Sequence, residues 1–195
     1  MTYLYQWSIS PEKVDIVCPN CHSKAIFQFA KSHPVELKKD VVYFQQSIIF
    51  DYKAVISSGK KQHYALFYPN LYSRKVIENL VLPEGYDIEL WFDPRTAKGL
   101  FDSYLGAYSC QYCGVKRKYQ LQWYNDAYYK TQIKGHCLWA FDRPSLLALR
   151  SYIASHDRNA FRYGYSMLLL HIPTIFKTKK NRVLVVSQLD KLLKG

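Results

Sequence analysis

The chain has 195 residues, 49% of them hydrophobic, and a formal net charge of +12. This length suits one domain or two small ones, and the hydrophobic content argues against a disordered chain. The best apolar run, Met167 to Ile172, ends at Pro173 after six residues and is too short to span a bilayer. Residues 1–7 lack the basic start and apolar core of a secretion signal. We therefore predict a cytoplasmic protein with no membrane partner.

The positive charge is concentrated in the second part of the chain. Residues 1–109 contain 12 Lys or Arg against 11 Asp or Glu, a net of +1, whereas residues 110–195 contain 15 against 4, a net of +11. Such asymmetry is expected of a surface that faces phosphate, acidic protein or anionic lipid. A basic surface that only keeps the protein in solution is the alternative.

The first half of the chain is predicted to form mainly strands and turns. We predict strands over residues 14–17 and 25–29, the second ended by the His33-Pro34 pair. Apolar residues alternate with polar ones over residues 41–56, which predicts one or two half-buried strands, with residues 63–68 as their antiparallel partner.

A short helix is predicted next, over residues 71–82, and a further strand over residues 87–92. Residues 100–108 then carry a cluster of aromatic and apolar side chains and lead to Cys110.

The second half of the chain combines strands with helices. Residues 116–123 predict a strand with a basic face and an apolar face, and residues 128–141 predict one or two strands that pair with it. Asp142-Arg143-Pro144 marks a helix start, because an acceptor side chain precedes a proline in the first turn. The cationic run at residues 177–182 opens a final helix, for which we predict a packing stripe formed by Val183, Val186, Leu189 and Leu193.

Two Cys-x-x-Cys pairs, Cys18 with Cys21 and Cys110 with Cys113, are the most specific motifs. Together they supply four thiolates, the ligand set of a tetrahedral structural zinc site with no open position for catalysis. The pairs are 88 residues apart, far more than the roughly 15 to 20 of a compact ribbon. A zinc ribbon split by an insertion is predicted. Two separate half-sites, another metal and a redox dithiol stay open, although the predicted flanking strands disfavour the dithiol.

Three other features suggest a ligand or a reactive group, but each has a simpler interpretation. His22 follows the first pair, and with four cysteines available we predict a surface histidine rather than a ligand. Cys137 is in phase with apolar neighbours on a strand, so a buried free thiol is favoured over a nucleophile. Asp15 with Glu36-Leu37-Lys38 loosely resembles the acidic elements of a metal-dependent nuclease, a pattern that is common by chance.

Basic and aromatic residues in the second half are candidates for nucleic-acid contacts. Cations at the strand and at the last helix would neutralise phosphates, and aromatic rings would stack on bases. The plainer alternative is that the aromatic residues belong to the core. The candidate cations are Lys116, Arg117, Lys118, Lys177, Lys179, Lys180 and Arg182, and the candidate rings are Trp123, Tyr124, Tyr128 and Tyr129.

A series of motifs in the last 45% of the chain resembles a family of small bacterial zinc-ribbon proteins without an established activity. The resemblance implies zinc binding and a ribbon followed by helices, and it does not cover the insertion. The motifs are Cys110-x-x-Cys113-Gly114, residues 123–129, residues 138–143 with 149–153, residues 170–174 and residues 179–182.

We therefore predict an α+β protein in three parts. Residues 1–21 and 110–141 would form the split zinc ribbon, residues 22–109 a β-rich insertion, and residues 142–195 a basic helical segment. The predicted function is a non-enzymatic, zinc-stabilised module that binds DNA or RNA within a larger bacterial assembly, with no small-molecule substrate. A protein-interaction adaptor that uses the insertion is the first alternative, and a metal-dependent hydrolase is the second.

Overall fold

The computed structural model describes residues 11–57, 59–93 and 104–194. The predictions for residues 1–7 and for the start of the aromatic segment at residues 100–103 lie outside this part of the chain. The strands are β1 (Lys13–Val17), β2 (Lys24–Phe29), β3 (Lys31–Pro34), β4 (Asp51–Ser57), β5 (Lys60–Phe67), β6 (Leu105–Ser109), β7 (Lys116–Gln120), β8 (Tyr129–Ile133) and β9 (His136–Ala140). The α-helices are α1 (Lys38–Gln46), α2 (Arg74–Glu78), α3 (Arg143–Ala154), α4 (Ser166–Leu170), α5 (Thr174–Lys177) and α6 (Lys179–Lys194).

The described strands form three small sheets, with the orders β1-β2-β6-β7, β3-β5-β4 and β8-β9. The pairs β3 with β5, β4 with β5, β6 with β7 and β8 with β9 are antiparallel. Together with the helices, these sheets confirm the predicted α+β class. None of the described helices combines the length and the apolar character needed to cross a membrane.

The described residues divide into two compact units, one formed by residues 11–26 with 122–194 and the other by residues 27–57, 59–93 and 104–121. The second unit has an aromatic core in which Phe44 packs edge-on against Phe50, with ring centroids 5.2 Å apart. Trp91 lies 5.2 Å from Phe50 in the same core. The hairpin of β4 and β5 that we predicted is present.

Helix α1 replaces the strand predicted at the start of residues 41–56. Its buried residues are Asp40 and Phe44, four positions apart on one helical face, whereas Val42 is half exposed. After the helix, the Ser47 hydroxyl accepts hydrogen bonds from the backbone N–H groups of Ile49 and Phe50, at 3.1 and 3.3 Å. This turn ends α1 and leaves Ile48 exposed, where the alternating pattern predicted burial.

Three further elements of this unit differ from the predictions. The His33-Pro34 pair lies within β3 and does not interrupt it, because β3 pairs with β5 as far as Pro34. Helix α2 covers only Arg74–Glu78 of the predicted residues 71–82. In place of the predicted strand over residues 87–92, residues 88–90 form a 3-10 turn, which Asp87 caps by accepting from the Glu89 N–H. Of the predicted strand, only Phe92 makes a β-bridge.

Gly106 in β6 lies at a position that has no room for a side chain. A Cβ atom there would lie 2.3 Å from both the backbone oxygen of Gln28 and the Phe27 ring. Phe27 is fully buried. Absence of a side chain at residue 106 therefore lets the Phe27 ring and the Gln28 carbonyl approach the backbone of β6 closely.

In the other unit, α3 begins with a capping box. The Asp142 carboxylate accepts from the Ser145 N–H at 2.8 Å, and the Ser145 hydroxyl oxygen accepts from the Asp142 N–H at 2.9 Å. Pro144 follows in the first turn, which is the start signal read from the sequence. This unit also contains β8 and β9, which pair with each other. The predicted pairing of this segment with β7 is wrong, because β7 belongs to another sheet.

Helix α6 is confirmed, but its buried face shares only Leu189 with the predicted stripe. Its buried residues are Asn181, Val185 and Leu189, four positions apart, whereas Val183 of the predicted stripe is 80% exposed. The Asn181 amide donates to the Ile175 carbonyl at 2.8 Å and accepts from the Lys134 ammonium at 2.6 Å. Because the buried amide has both partners, a polar residue can occupy this face.

Candidate metal centre

The first cysteine pair lies in a tight turn between β1 and β2. The Cys18 N–H donates to the Ser23 carbonyl at 2.8 Å, and the His22 N–H donates back to the Cys18 carbonyl at 2.9 Å. These two bonds close the turn around Cys21.

The second pair repeats this arrangement between β6 and β7. The Cys110 N–H donates to the Val115 carbonyl at 2.9 Å, and the Gly114 N–H donates to the Cys110 carbonyl at 2.9 Å. In each turn the first cysteine bonds to the residue five positions later, and the fourth residue after it bonds back. The two cysteine pairs are therefore held by the same backbone structure, although the sequences inside the turns differ.

The residue that follows the second cysteine has a left-handed backbone in both turns. Gly114 has φ +72°, and His22 has φ +60°. The sequence indicated a tight turn at Gly114, because glycine adopts positive φ without a steric cost. It gave no comparable sign for His22, which is exposed as predicted.

The sulfur atoms of Cys18, Cys21, Cys110 and Cys113 all lie within 4.8 Å of one another. A tetrahedral ion with about 2.3 Å bonds to four sulfurs would set those sulfurs about 3.8 Å apart. The four thiols are thus close enough to hold one metal ion with only small adjustments. This arrangement also favours one shared site over two separate half-sites.

Burial in the cluster follows the position within each pair. Cys18 and Cys110, the first cysteines, are 0% and 2% exposed, whereas Cys21 and Cys113 are half-buried. The donor set consists entirely of sulfur, which suits soft or borderline metals and excludes neither zinc nor other thiophilic ions. With four protein ligands the site is closed, as in a structural centre.

Cys137 stands apart from this cluster. It lies half-buried in β9 as a free cysteine, where we predicted a buried free thiol. Burial raises the pKa of its thiol, and the positive charge of Lys130 opposes that change more weakly. A raised pKa lowers the thiolate fraction at neutral pH, so this environment does not activate a nucleophile.

Asp15, one of the acidic residues considered for a nuclease, lies in β1 near Lys24. The Lys24 ammonium is 3.6 Å from its carboxylate. Burial raises the pKa of the Asp15 carboxyl, and the Lys24 charge acts in the opposite direction. Within residues 11–57, 59–93 and 104–194, no second group of three or more Cys, His, Asp or Glu side chains is close enough to hold a metal ion.

The candidate cations of β7 have different environments. Lys116 and Arg117 are exposed on the strand. The Lys118 ammonium lies 2.6 Å from the Asp51 carboxylate and 5.0 Å from the centre of the Tyr68 ring. Its charge is therefore already partly compensated within the protein.

The remaining candidate cations surround the start of α6. Lys179 and Lys180 are exposed in its first turn, and Lys177 and Arg182 are half-buried on either side of them. That first turn contains no acidic residue. Since the N-terminal end of a helix carries partial positive charge, these cations add to an already positive region.

The candidate stacking rings are mostly packed within their own unit. Tyr129 is 4% exposed and therefore cannot present a face to a base. The Trp123 ring stacks on Phe141 with centroids 5.8 Å apart and meets Trp139 edge-on at 5.2 Å. Tyr124 and Tyr128 are half-buried. This packing favours the interpretation that Tyr129 and most of the Trp123 ring belong to the core.

Comparisons with protein-family models, with curated proteins and with solved structures found no match to this chain. Family membership therefore stays a prediction.

Proposed function

We propose that Cys18, Cys21, Cys110 and Cys113 bind one Zn²⁺ ion and that the protein is a split zinc ribbon which binds nucleic acid without catalysis. The observation that carries the zinc proposal is the gathering of four sulfurs within 4.8 Å, each pair in the same type of turn. Four thiolates around one ion are one of the established ligand sets of structural zinc sites, zinc ribbons among them. The resemblance to bacterial zinc-ribbon proteins supports this proposal. We also propose that the module acts within a larger bacterial assembly.

Nucleic acid is the favoured partner because of the charge distribution. Residues 110–195 carry a net charge of +11, and exposed cations lie both on β7 and in the first turn of α6. Lysine and arginine side chains that neutralise phosphates release the counterions condensed on a nucleic acid, which supplies affinity without sequence preference. With Tyr129 buried, phosphate contacts would supply more of the binding than base stacking.

The zinc proposal is tested by elemental analysis of the purified protein. We expect one zinc per chain, and we expect Cys18→Ser or Cys110→Ser to lower both the zinc content and the stability. Cys137→Ser is the matched control, because Cys137 lies outside the cluster. Equal zinc content in all three variants would rule out the proposed ligand set.

The nucleic-acid proposal is tested by salt titration with a fluorescent oligonucleotide. We expect binding at low salt. The logarithm of the binding constant should then fall linearly with the logarithm of the salt concentration, because each neutralised phosphate adds to the slope. Reversing the charge at Lys177, Lys179, Lys180 and Arg182 should weaken binding while leaving the thermal unfolding transition in place. Absence of binding at low salt, or binding that does not depend on salt, contradicts this function.

Exposed apolar residues in the segment 22–109 support the protein-interaction adaptor as a second candidate. Ile48 is 96% exposed and Ile56 is 78% exposed, and both flank or belong to β4. Large exposed apolar side chains often mark a contact surface. An adaptor predicts a co-purifying protein that is lost from an Ile48→Glu, Ile56→Glu double variant, whereas oligonucleotide binding stays unchanged.

A further inference from the structure

The loop after α3 lies against the start of α6. Nη1 of Arg182 is 3.4 Å from Nδ1 of His156. The charge of Arg158 reaches Lys177, whose pKa is lowered, first by burial and then by this arginine. Two short segments, residues 156–158 and 177–182, thus bring three cationic side chains and a histidine together.

The two arginines have buried donors that find no acceptor in the described part of the chain. Within residues 11–57, 59–93 and 104–194, no hydrogen bond is made by the buried Nε and Nη2 of Arg158 or by the buried Nε of Arg182. A guanidinium is always charged and has no acceptor of its own. Burying its N–H groups without a partner is unfavourable, and such groups in a folded protein call for a specific explanation, of which a bound ion is one.

The neighbouring acidic residues are engaged elsewhere. Asp157, between His156 and Arg158, accepts from Arg162 at 2.7 Å. Asp190, further along α6, accepts from Arg150 at 2.9 Å. The first turn of α6 contains no carboxylate. The positive charges of Arg158 and Lys177 therefore repel each other, next to the positive end of a 16-residue helix.

We propose that Arg158, Arg182 and Lys177 form a phosphate-binding site beside the start of α6. A phosphate group accepts several hydrogen bonds and matches the fork of donors on a guanidinium, which a lysine ammonium complements as a point charge. The same group is favoured near a helix N-terminus. This inference rests on the proposed function, since the phosphate would belong to the backbone of a bound nucleic acid. Inorganic phosphate offers the same chemistry and serves as a probe.

Arg158 was not among the cations selected from the sequence. It lies between α3 and α4, and no local pattern separates it from the other arginines. Its role depends on the fold, which brings its charge to Lys177.

The test compares the full-length protein with Arg158→Met, which keeps the aliphatic stem and removes the donors. Inorganic phosphate should raise the melting temperature of the unchanged protein above the value in chloride at equal ionic strength, by mass action. The Arg158→Met variant should lose this shift and bind a short oligonucleotide about tenfold more weakly. Without phosphate its melting temperature should equal or exceed that of the unchanged protein, because unpaired buried donors are removed.

The control is Arg74→Met, which removes one positive charge from a side chain that is 92% exposed and lies on α2. This variant should keep the phosphate shift. If phosphate does not stabilise the unchanged protein more than chloride does, the inference is wrong, even where oligonucleotide binding is intact. If phosphate stabilises it through Arg158 but no oligonucleotide binds, the site stands and the nucleic-acid function falls.

Discussion

The residue after each second cysteine sets the backbone geometry of the candidate metal centre. Gly114 and His22 both adopt positive φ, and both donate a hydrogen bond to the first cysteine of their turn. For a residue with a Cβ atom, this left-handed conformation costs about 1–2 kcal/mol. Histidine is among the residues that tolerate it more often.

Gly114→Ala should therefore lower the free energy of unfolding by about 1 kcal/mol. Lack of space is not the reason, because no atom of the described residues lies within 4 Å of the position that the new Cβ would take. Urea unfolding of the metal-loaded protein measures the loss. Gly114→Asn should lose less, since asparagine accepts the left-handed conformation more readily.

The reverse change in the first turn, from histidine to glycine, should alter the free energy of unfolding very little. His22→Gly relieves the left-handed strain but adds freedom to the unfolded chain, so the two effects should nearly cancel. If His22→Gly were as destabilising as Gly114→Ala, backbone conformation would not explain either result.

At the scale of the element, Gly106 controls how β6 packs. Gly106→Ala should lower the free energy of unfolding by about 1–3 kcal/mol or more, the usual cost of overpacking. The new methyl group would meet the Gln28 backbone oxygen and the Phe27 ring, both at 2.3 Å. Chemical unfolding measures the effect.

A second variant separates the two contacts. Adding Phe27→Leu removes the ring but leaves the Gln28 carbonyl, which belongs to the backbone and cannot rotate away. We therefore expect the double variant to remain less stable than Phe27→Leu alone. Recovery to the stability of Phe27→Leu would mean that the ring alone opposes a side chain at residue 106.

Sequence patterns predicted the elements that have local signals of their own. Asp142 and Pro144 identify the start of α3 from the sequence, because the contacts that begin a helix lie within one turn. Alternation failed for α1, whose burial pattern depends on distant aromatic residues that surround Phe44. In α6 the apolar Val183 is exposed while Asn181 is buried, since Lys134 and Ile175 supply its partners from outside the helix. Such long-range partners cannot be read from a local window.

At the scale of the whole molecule, the cysteine motifs predicted which side chains meet. Four sulfurs from two pairs 88 residues apart lie within 4.8 Å, because metal chemistry limits which residue types can form such a site. The cationic residues were less informative. Charge alone selected Lys118, which already pairs with Asp51. It did not select Arg158, whose buried Nε and Nη2 find no acceptor among the residues that the structure describes.

Metal removal should affect the stability of the entire protein. Binding of a structural zinc ion contributes about 10–16 kcal/mol in small zinc domains, which equals or exceeds the total stability of a typical domain, about 5–15 kcal/mol. A strong chelator should therefore abolish or greatly lower the cooperative thermal transition followed by circular dichroism. Adding back one equivalent of Zn²⁺ should restore it.

Thiol reactivity supplies an independent measure of the same event. In the metal-loaded Cys137→Ser variant, the four cysteines of the cluster should resist a thiol reagent, and all four should react after chelation, because bound thiolates are protected. Co²⁺ in place of zinc should give the visible absorption of a tetrahedral thiolate site. An unchanged melting temperature in protein that elemental analysis shows to be free of metal would refute a structural role for Cys18, Cys21, Cys110 and Cys113. The fold would then be held by its hydrophobic cores and hydrogen bonds alone.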